Sequence, residues 1–201
     1  MLRLENISLK FDSELIIDKF NLDIAEGEHI CLWGPSGSGK TSVLKLIMGM
    51  ASPTEGHIYF NDKMIEENNI SDLRANIAWI PQNINLPVRT ALEVLKLLNI
   101  RDDKSDIFEE KLKIFGLDKS FTDRDFAEMS IGQKQRIIIA ATLMTERKIL
   151  LMDEPTASLD NETIDLIIKD IMTDNYYTVI SASHDEQWCA AHDKKVILSH
   201  G

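Results

Sequence analysis

The sequence has no hydrophobic run long enough to cross a membrane and no excess of positive charge. Its longest apolar stretch, Ile137–Met144, is far shorter than the roughly 18 residues that a membrane span needs. The formal net charge of −11 disfavours non-specific binding of DNA or RNA, because the nucleic-acid phosphates would be repelled. We therefore expect no nucleic-acid partner, and any action at a membrane has to pass through another protein.

The chain is also poor in cysteine and in repeated or low-complexity sequence. Its two cysteines, Cys31 and Cys189, have no metal-ligand spacing, and we assign neither a function. The start, Met1–Asn6, lacks the apolar core of a signal peptide. With 201 residues, 44% hydrophobic and 27% charged, the chain is ordinary for a globular domain that buries its own core. We expect one cytoplasmic domain over residues 1–201.

The most informative motif that is present lies at Gly34–Thr41 and reads Gly-Pro-Ser-Gly-Ser-Gly-Lys-Thr. It matches the phosphate-binding loop, and the run before it has strand character while the run after it has helical spacing. In such a loop backbone N–H groups surround phosphate oxygens, Lys40 reaches the β- and γ-phosphates, and the Thr41 hydroxyl holds Mg²⁺. The predicted nucleotide-binding residues here are Gly34, Pro35, Ser36, Gly37, Ser38, Gly39, Lys40, Thr41 and Ser42.

Two acids close an apolar run that is typical of the centre of a parallel sheet. The run 148–152 is continuously apolar after Lys148, and Asp153 and Glu154 follow it. At the carboxyl edge of a sheet, beside a phosphate loop, Asp153 is placed to hold Mg²⁺ through water. Glu154 is placed to act as general base or to position the attacking water. The alternative is a strand that ends in solvated acids.

A second helix start suited to phosphate lies at Ser130–Arg136, reading Ser-Ile-Gly-Gln-Lys-Gln-Arg. The Ser130 hydroxyl, the Gly132 N–H and the helix dipole all suit a γ-phosphate, although an ordinary capped helix would look similar. This segment resembles the signature motif of ATP-binding cassette (ABC) ATPases, usually Leu-Ser-Gly-Gly-Gln-x-Gln-Arg. Met129 stands for the leucine and Ile131 for the first glycine.

The resemblance to ABC ATPases extends along the whole chain and implies roles for further residues. Gln82 resembles the Q-loop glutamine, a ligand of Mg²⁺ and water, and Gln133 belongs to the signature motif. Asp160 lies in a segment that resembles the D-loop, which crosses between subunits; a helix cap is the alternative. His184 resembles the switch histidine at the γ-phosphate. Phe11 matches the aromatic residue that stacks on adenine, with a core phenylalanine as the alternative.

From the residues, the first half favours antiparallel strands and the part after the loop favours an α/β core. The resemblance implies an α/β fold with a P-loop NTPase (RecA-like) core, an antiparallel β-subdomain and a helical signature subdomain over about 83–136.

The resemblance also implies cofactors, partners and function. ATP and Mg²⁺ would bind between two chains arranged head to tail, so we expect a homodimer on ATP binding. The leading expectation is an ATP-hydrolysing subunit that powers an ABC transporter through separate integral membrane permease subunits, on the inner face of the cell membrane. A soluble ABC ATPase, such as one serving iron–sulfur cluster assembly, is the alternative. A module that binds ATP without hydrolysing it is disfavoured by Glu154 and His184.

Overall fold

A computed structural model describes residues 1–12, 14–173 and 175–199. Within these residues the strands are β1 (Leu2–Phe11), β2 (Glu14–Ile24), β3 (His29–Trp33), β4 (Glu55–Phe60), β5 (Lys63–Met64), β6 (Ile77–Ile80), β7 (Ile149–Asp153), β8 (Thr178–Ser183) and β9 (Lys194–Ile197). The helices are α1 (Lys40–Ile47), α2 (Ile70–Asn76), α3 (Ala91–Leu97), α4 (Ser105–Ile114), α5 (Ile131–Leu143), α6 (Asn161–Ile171) and α7 (Glu186–Ala190).

The first sheet is antiparallel and has the order β2-β1-β4-β5. Its strand β1 alternates buried residues such as Leu2 and Leu4 with exposed ones, as expected for a sheet with one face on the core. Gly56 on β4 makes the close crossing with β1 possible, because a Cβ there would lie 2.3 Å from the Asn6 carbonyl oxygen. The predicted antiparallel β-subdomain is confirmed.

The second sheet is parallel and has the order β6-β7-β8-β3-β9. Every residue of β7 is buried, because helices and the other sheet cover both faces. The register aligns Trp33 with Ser183, and Asp153 with Ala182, so these parallel strands end at one edge. The segments that follow β3, β6, β7 and β8 therefore meet at that edge, which is where an α/β sheet binds its ligands.

The segment between β6 and α5 is helical, as predicted for the signature subdomain. Helices α3 and α4 are separated by a segment that includes the polar residues 101–104. Phe108, Leu112 and Phe115 are fully buried and pack in one cluster with Ile137 of α5. This burial of aromatic and aliphatic side chains fixes the start of α5 relative to the parallel sheet.

Two further features of the described chain concern its helices and its cysteines. None of its helices is both long and apolar enough to span a bilayer. Cys31 on β3 and Cys189 on α7, to which we assigned no function from their spacing, are joined by a disulfide with their Cα atoms 5.4 Å apart. The strand that enters the phosphate loop is thus linked to the helix that follows His184.

Candidate functional site

An open cavity of about 550 Å³ lies at the carboxyl edge of the parallel sheet. The structure places most of the predicted loop-side residues around it. Its lining comprises Phe11, Ile16, Pro35, Ser36, Gly37, Gly39, Lys40, Thr41, Ser42, Gln82, Glu154 and His184. The predicted residues Gly34, Ser38 and Asp153 are buried directly behind this lining.

The loop between β3 and α1 depends on glycine at positions that need a positive φ or have no room for a side chain. Gly37 and Gly39 have φ of 82° and 89°, in the left-handed region that glycine adopts without strain. A Cβ at Gly34 would lie 2.3 Å from the Leu198 carbonyl oxygen. The Ser38 hydroxyl is buried and has no hydrogen-bond partner among the described residues, so a phosphate oxygen would satisfy it.

The Lys40 ammonium group is buried and turned onto its own loop. Its Nζ donates to the carbonyl oxygens of Gly34 at 2.8 Å and Pro35 at 3.0 Å. It also lies 3.9 Å from Oε1 of Glu154. A buried ammonium is costly unless it is paired, and these oxygens hold it at the position where a triphosphate would arrive.

Thr41 and Asp153 form a pair of oxygen donors at the foot of the cavity. The Thr41 hydroxyl lies 2.9 Å and 3.0 Å from the two Asp153 carboxylate oxygens. Burial raises the pKa of Asp153, the hydrogen bond from Thr41 lowers it, and the neighbouring Glu154 raises it further. A hydroxyl and a carboxylate beside a phosphate loop are the donor set that suits Mg²⁺.

Glu154 is held in an unusual backbone conformation, with its carboxylate between the side chains of Lys40 and His184. Its φ is 48°, in the left-handed region, and its N–H donates to the Ala182 carbonyl oxygen at 2.8 Å. Oε2 lies 2.9 Å from Nδ1 of His184, yet it accepts no well-aligned hydrogen bond from any described residue. Glu154 lines the cavity, while this particular oxygen is buried against His184.

The segment carrying His184 is anchored by a ring of hydrogen bonds that the sequence reasoning missed. Trp188 Nε1 donates to Ser181 Oγ at 3.0 Å, and Ser181 Oγ lies 2.9 Å from Nε2 of His192. Nδ1 of His192 faces the Trp188 carbonyl oxygen at 2.8 Å and so carries the proton, which leaves Nε2 to accept from Ser181. Burial lowers the pKa of His192 to about 4. The one sequence signal was polar Ser181 inside an apolar strand.

The signature motif forms a separate and exposed structure. Ser130 is the N-cap of α5, where its Oγ accepts from the Gln133 N–H at 3.2 Å and Oε1 of Gln133 accepts from the Ser130 N–H at 2.9 Å. This capping box leaves the Ser130 hydroxyl proton free to donate. The neighbouring Ile131 is 66% exposed. Ser130, Gly132 and Gln133 lie outside the cavity lining of their own chain.

Asp160 and Phe11 are two residues for which the sequence left a structural alternative. Asp160 is exposed and its carboxylate caps α6 by accepting from the Thr163 N–H at 2.8 Å, a bond that lowers the pKa of Asp160. The cap is therefore present, and the exposed position leaves a contact with another subunit open. Phe11 is 55% exposed at the cavity mouth, so it is not a core phenylalanine.

Comparisons with known proteins agree with this geometry. Residues 17–157 match the family described as ABC transporter. The chain is 33% identical to the spermidine/putrescine import ATP-binding protein of Mycoplasma mycoides subsp. mycoides SC, over all of this chain and 59% of the relative. It is 34% identical to the carnitine transport ATP-binding protein of Listeria monocytogenes, over all of this chain and 53% of the relative. The chain thus spans a little over half the length of these curated relatives.

Among solved structures, the fold is similar to that of a dimeric ATP-binding cassette in a post-hydrolysis state bound to ADP and Pi. The TM-score is 0.84 at 29% identity, over 99% of this chain and 94% of that one. The predicted P-loop NTPase fold is confirmed. With the family model covering residues 17–157, well over half of the sequence, the chain belongs to the ABC transporter family.

Proposed function

We propose that this chain binds and hydrolyses ATP as the nucleotide-binding subunit of an ABC transporter. The observation that carries the proposal is that Lys40, Thr41 and Glu154 line one cavity, with Asp153 paired to Thr41 behind the lining and an unpartnered buried hydroxyl in the loop. A cation, a pair of hard oxygen donors and a carboxylate base within one cavity are the parts that phosphoryl transfer to water requires.

Each loop-side residue has a role that follows from its position. Lys40 exchanges its carbonyl partners for β- and γ-phosphate oxygens, and Phe11 offers its exposed ring to the adenine. Thr41 and Asp153, with Gln82 nearby, would hold Mg²⁺, which when bound offsets the negative charge of the phosphates. Glu154 takes a proton from the attacking water, and His184, 2.9 Å from it, contacts the γ-phosphate.

The signature residues require a second copy of the chain. Ser130, which is exposed, and Gly132, which is half-buried, lie at the N-terminus of α5, outside the cavity of their own protomer. In a head-to-tail homodimer, each signature helix would face the nucleotide held by the other loop. The dimeric arrangement of a similar cassette with ADP and Pi supports this assembly.

The transport role rests on the relatives. The printed names of similar proteins describe import or transport ATP-binding proteins for spermidine/putrescine and carnitine. By that likeness, closure and opening of the dimer would move separate membrane-spanning subunits on the cytoplasmic side of the membrane. Leu86, Pro87 and Val88, between Gln82 and α3, are candidates for the groove that receives them.

The substitution Glu154→Gln tests the proposal. It keeps the size of the side chain and removes the base, so we expect ATP hydrolysis to fall at least 100-fold. ATP binding should persist, and size-exclusion chromatography with ATP should show an accumulated dimer. Glu110→Gln, an exposed acid on α4, is the matched control and should match the wild type. Unchanged hydrolysis together with no ATP-dependent dimer would contradict the proposed mechanism.

The proposed role in transport needs a separate measurement. Purification of the tagged chain from its native membrane fraction should bring down a polytopic membrane protein. Recovery with soluble scaffold proteins alone would instead support the iron–sulfur assembly alternative.

A further inference from the structure

We propose that Gly132 is a positioning residue whose lack of a side chain locks the signature helix α5 onto the D-loop of its own chain, residues 158–160. The two segments then act as one rigid unit. The intrachain contact stands on the geometry alone, whereas its consequence for hydrolysis rests on the proposed head-to-tail dimer.

The contact is steric and involves backbone atoms. A Cβ built at Gly132 would lie 2.4 Å from the Ser158 carbonyl oxygen and 3.6 Å from Cδ2 of Leu159. Ordinary van der Waals contact begins at 3.4 Å, so any side chain would force the two segments apart by about 1 Å. Rotamer changes cannot relieve this clash, because the nearest atom belongs to the backbone.

Ile131, the residue before Gly132, has room for a side chain. Ile131 occupies the position of the first glycine in the usual signature motif, and its side chain is 66% exposed. A branched side chain therefore fits at 131, where it extends into solvent, but not at 132, where the D-loop occupies the space. This difference explains why the chain departs from the motif at one glycine and retains the other.

The D-loop is fixed on its far side and cannot retreat freely. The Leu159 N–H donates to the Thr156 carbonyl oxygen at 3.0 Å, and Asp160 caps α6. Helix α6 is in turn held to α7 by Gln187, whose Nε2 donates to Oδ1 of Asp165 at 2.6 Å. A shift of the D-loop would break this turn and this helix cap, both of which stabilise its position.

Helix α5 is also fixed from its other side. Arg136, one turn after Gly132, donates from Nη1 to the Phe115 carbonyl oxygen at 3.0 Å, at the end of α4. With both partners held, Ser130 and Asp160 keep a constant spacing. In the proposed dimer both face the second protomer, where a misplacement of about 1 Å can lower a rate by about two orders of magnitude.

Hydrogen exchange in the nucleotide-free protein tests the contact without any dimer. In Gly132→Ala, we expect the amides of Leu159 and Thr163 to exchange at least tenfold faster than in the wild type. Ile131→Ala, on the same helical turn but pointing to solvent, is the control and should leave these amides unchanged. Unaltered exchange in Gly132→Ala would overturn the proposal, because it would mean that Gly132 acts only through the partner's nucleotide.

A second measurement tests the effect of the contact on ATP hydrolysis. Gly132→Ala should keep the affinity of the isolated chain for ATP, since the Lys40 cavity is separate, while hydrolysis falls about 100-fold. The double variant Gly132→Ala with Ser158→Gly gives the D-loop backbone more freedom to move. We expect its hydrolysis rate to be at least tenfold higher than that of Gly132→Ala alone. If Gly132→Ala does not fold, we expect the double variant to fold. Absence of this rescue would overturn the proposal, whereas a wild type that forms no ATP-dependent dimer would refute the proposed function and leave the exchange result standing.

Discussion

The loop side of the molecule (residues 34–42 with Asp153, Glu154 and His184) and the signature side (residues 130–133) differ in how far a single chain satisfies their polar groups. On the loop side, Lys40 is only 7% exposed and its charge is already met by carbonyl oxygens and Glu154. On the signature side, Ser130 is exposed, and its hydroxyl accepts from Gln133 but donates to none of the residues that the structure describes. The loop side therefore forms a cavity within one chain, whereas the signature residues lie outside it, and in the proposed head-to-tail dimer the two sides would meet.

The largest predicted effect is the loss of ATP affinity in Lys40→Ala, which would show that the loop side binds the nucleotide within one chain. The variant removes two charge-assisted hydrogen bonds to phosphate, each stabilising by about 1.5–3 kcal/mol, so ATP affinity should fall several hundredfold. Titration with a fluorescent ATP analogue measures it. Lys63→Ala on β5 makes the same charge change far from the cavity and should bind normally. Equal affinity in both variants would refute the loop assignment.

A smaller effect is expected from Ser130, and it should appear only in the assembled state. Ser130→Ala should leave the ATP affinity of the single chain unchanged and lower hydrolysis about tenfold, through one lost hydrogen bond to phosphate. Since alanine also removes the helix cap, Ser130→Asp separates the two roles: it caps α5 equally well but repels phosphate. Normal hydrolysis in Ser130→Asp would show that Ser130 serves only as a cap.

The smallest predicted effect is a loss of folding stability at acid pH that is caused by His192. His192 has a pKa of about 4 in the folded chain against about 6.5 when unfolded, chiefly through burial, with nearby His29 lowering it and Asp193 raising it. Between these values the unfolded chain binds more protons, so stability present above pH 6.5 is lost as the pH falls toward 4. The loss should be about 1 kcal/mol at pH 5.5.

Thermal unfolding at pH 8 and pH 5.5 measures this loss. His192→Gln should flatten the dependence, and His57→Gln on the exposed face of β4 should not. If His192→Gln retains the full wild-type slope, another group is responsible for the acid sensitivity.

The sequence predicted the loop side well because its chemistry is local. The spacing of Gly37, Gly39 and Lys40 favours a tight turn through local backbone preferences, and the apolar run 148–152 placed Asp153 at the end of a strand. The family and fold followed from these motifs and are confirmed by the comparisons.

What the sequence could not predict depends on contacts between distant segments. The ring of Ser181, Trp188 and His192, the disulfide and the packing of Gly132 on Ser158 all join residues whose proximity is set by the assembled fold. The positive φ of Glu154 likewise needs the surrounding strands to impose it. The roles assigned to individual site residues remain predictions that the variants above can decide.

The reciprocal cap between Ser130 and Gln133 has a consequence for how two chains would meet. Because the first turn of α5 is already ordered in a single chain, association does not have to freeze a disordered segment, a step that costs about 1–2 kcal/mol per residue. The encounter can then proceed as the docking of two preformed surfaces, and its rate should depend on collision and orientation rather than on local folding.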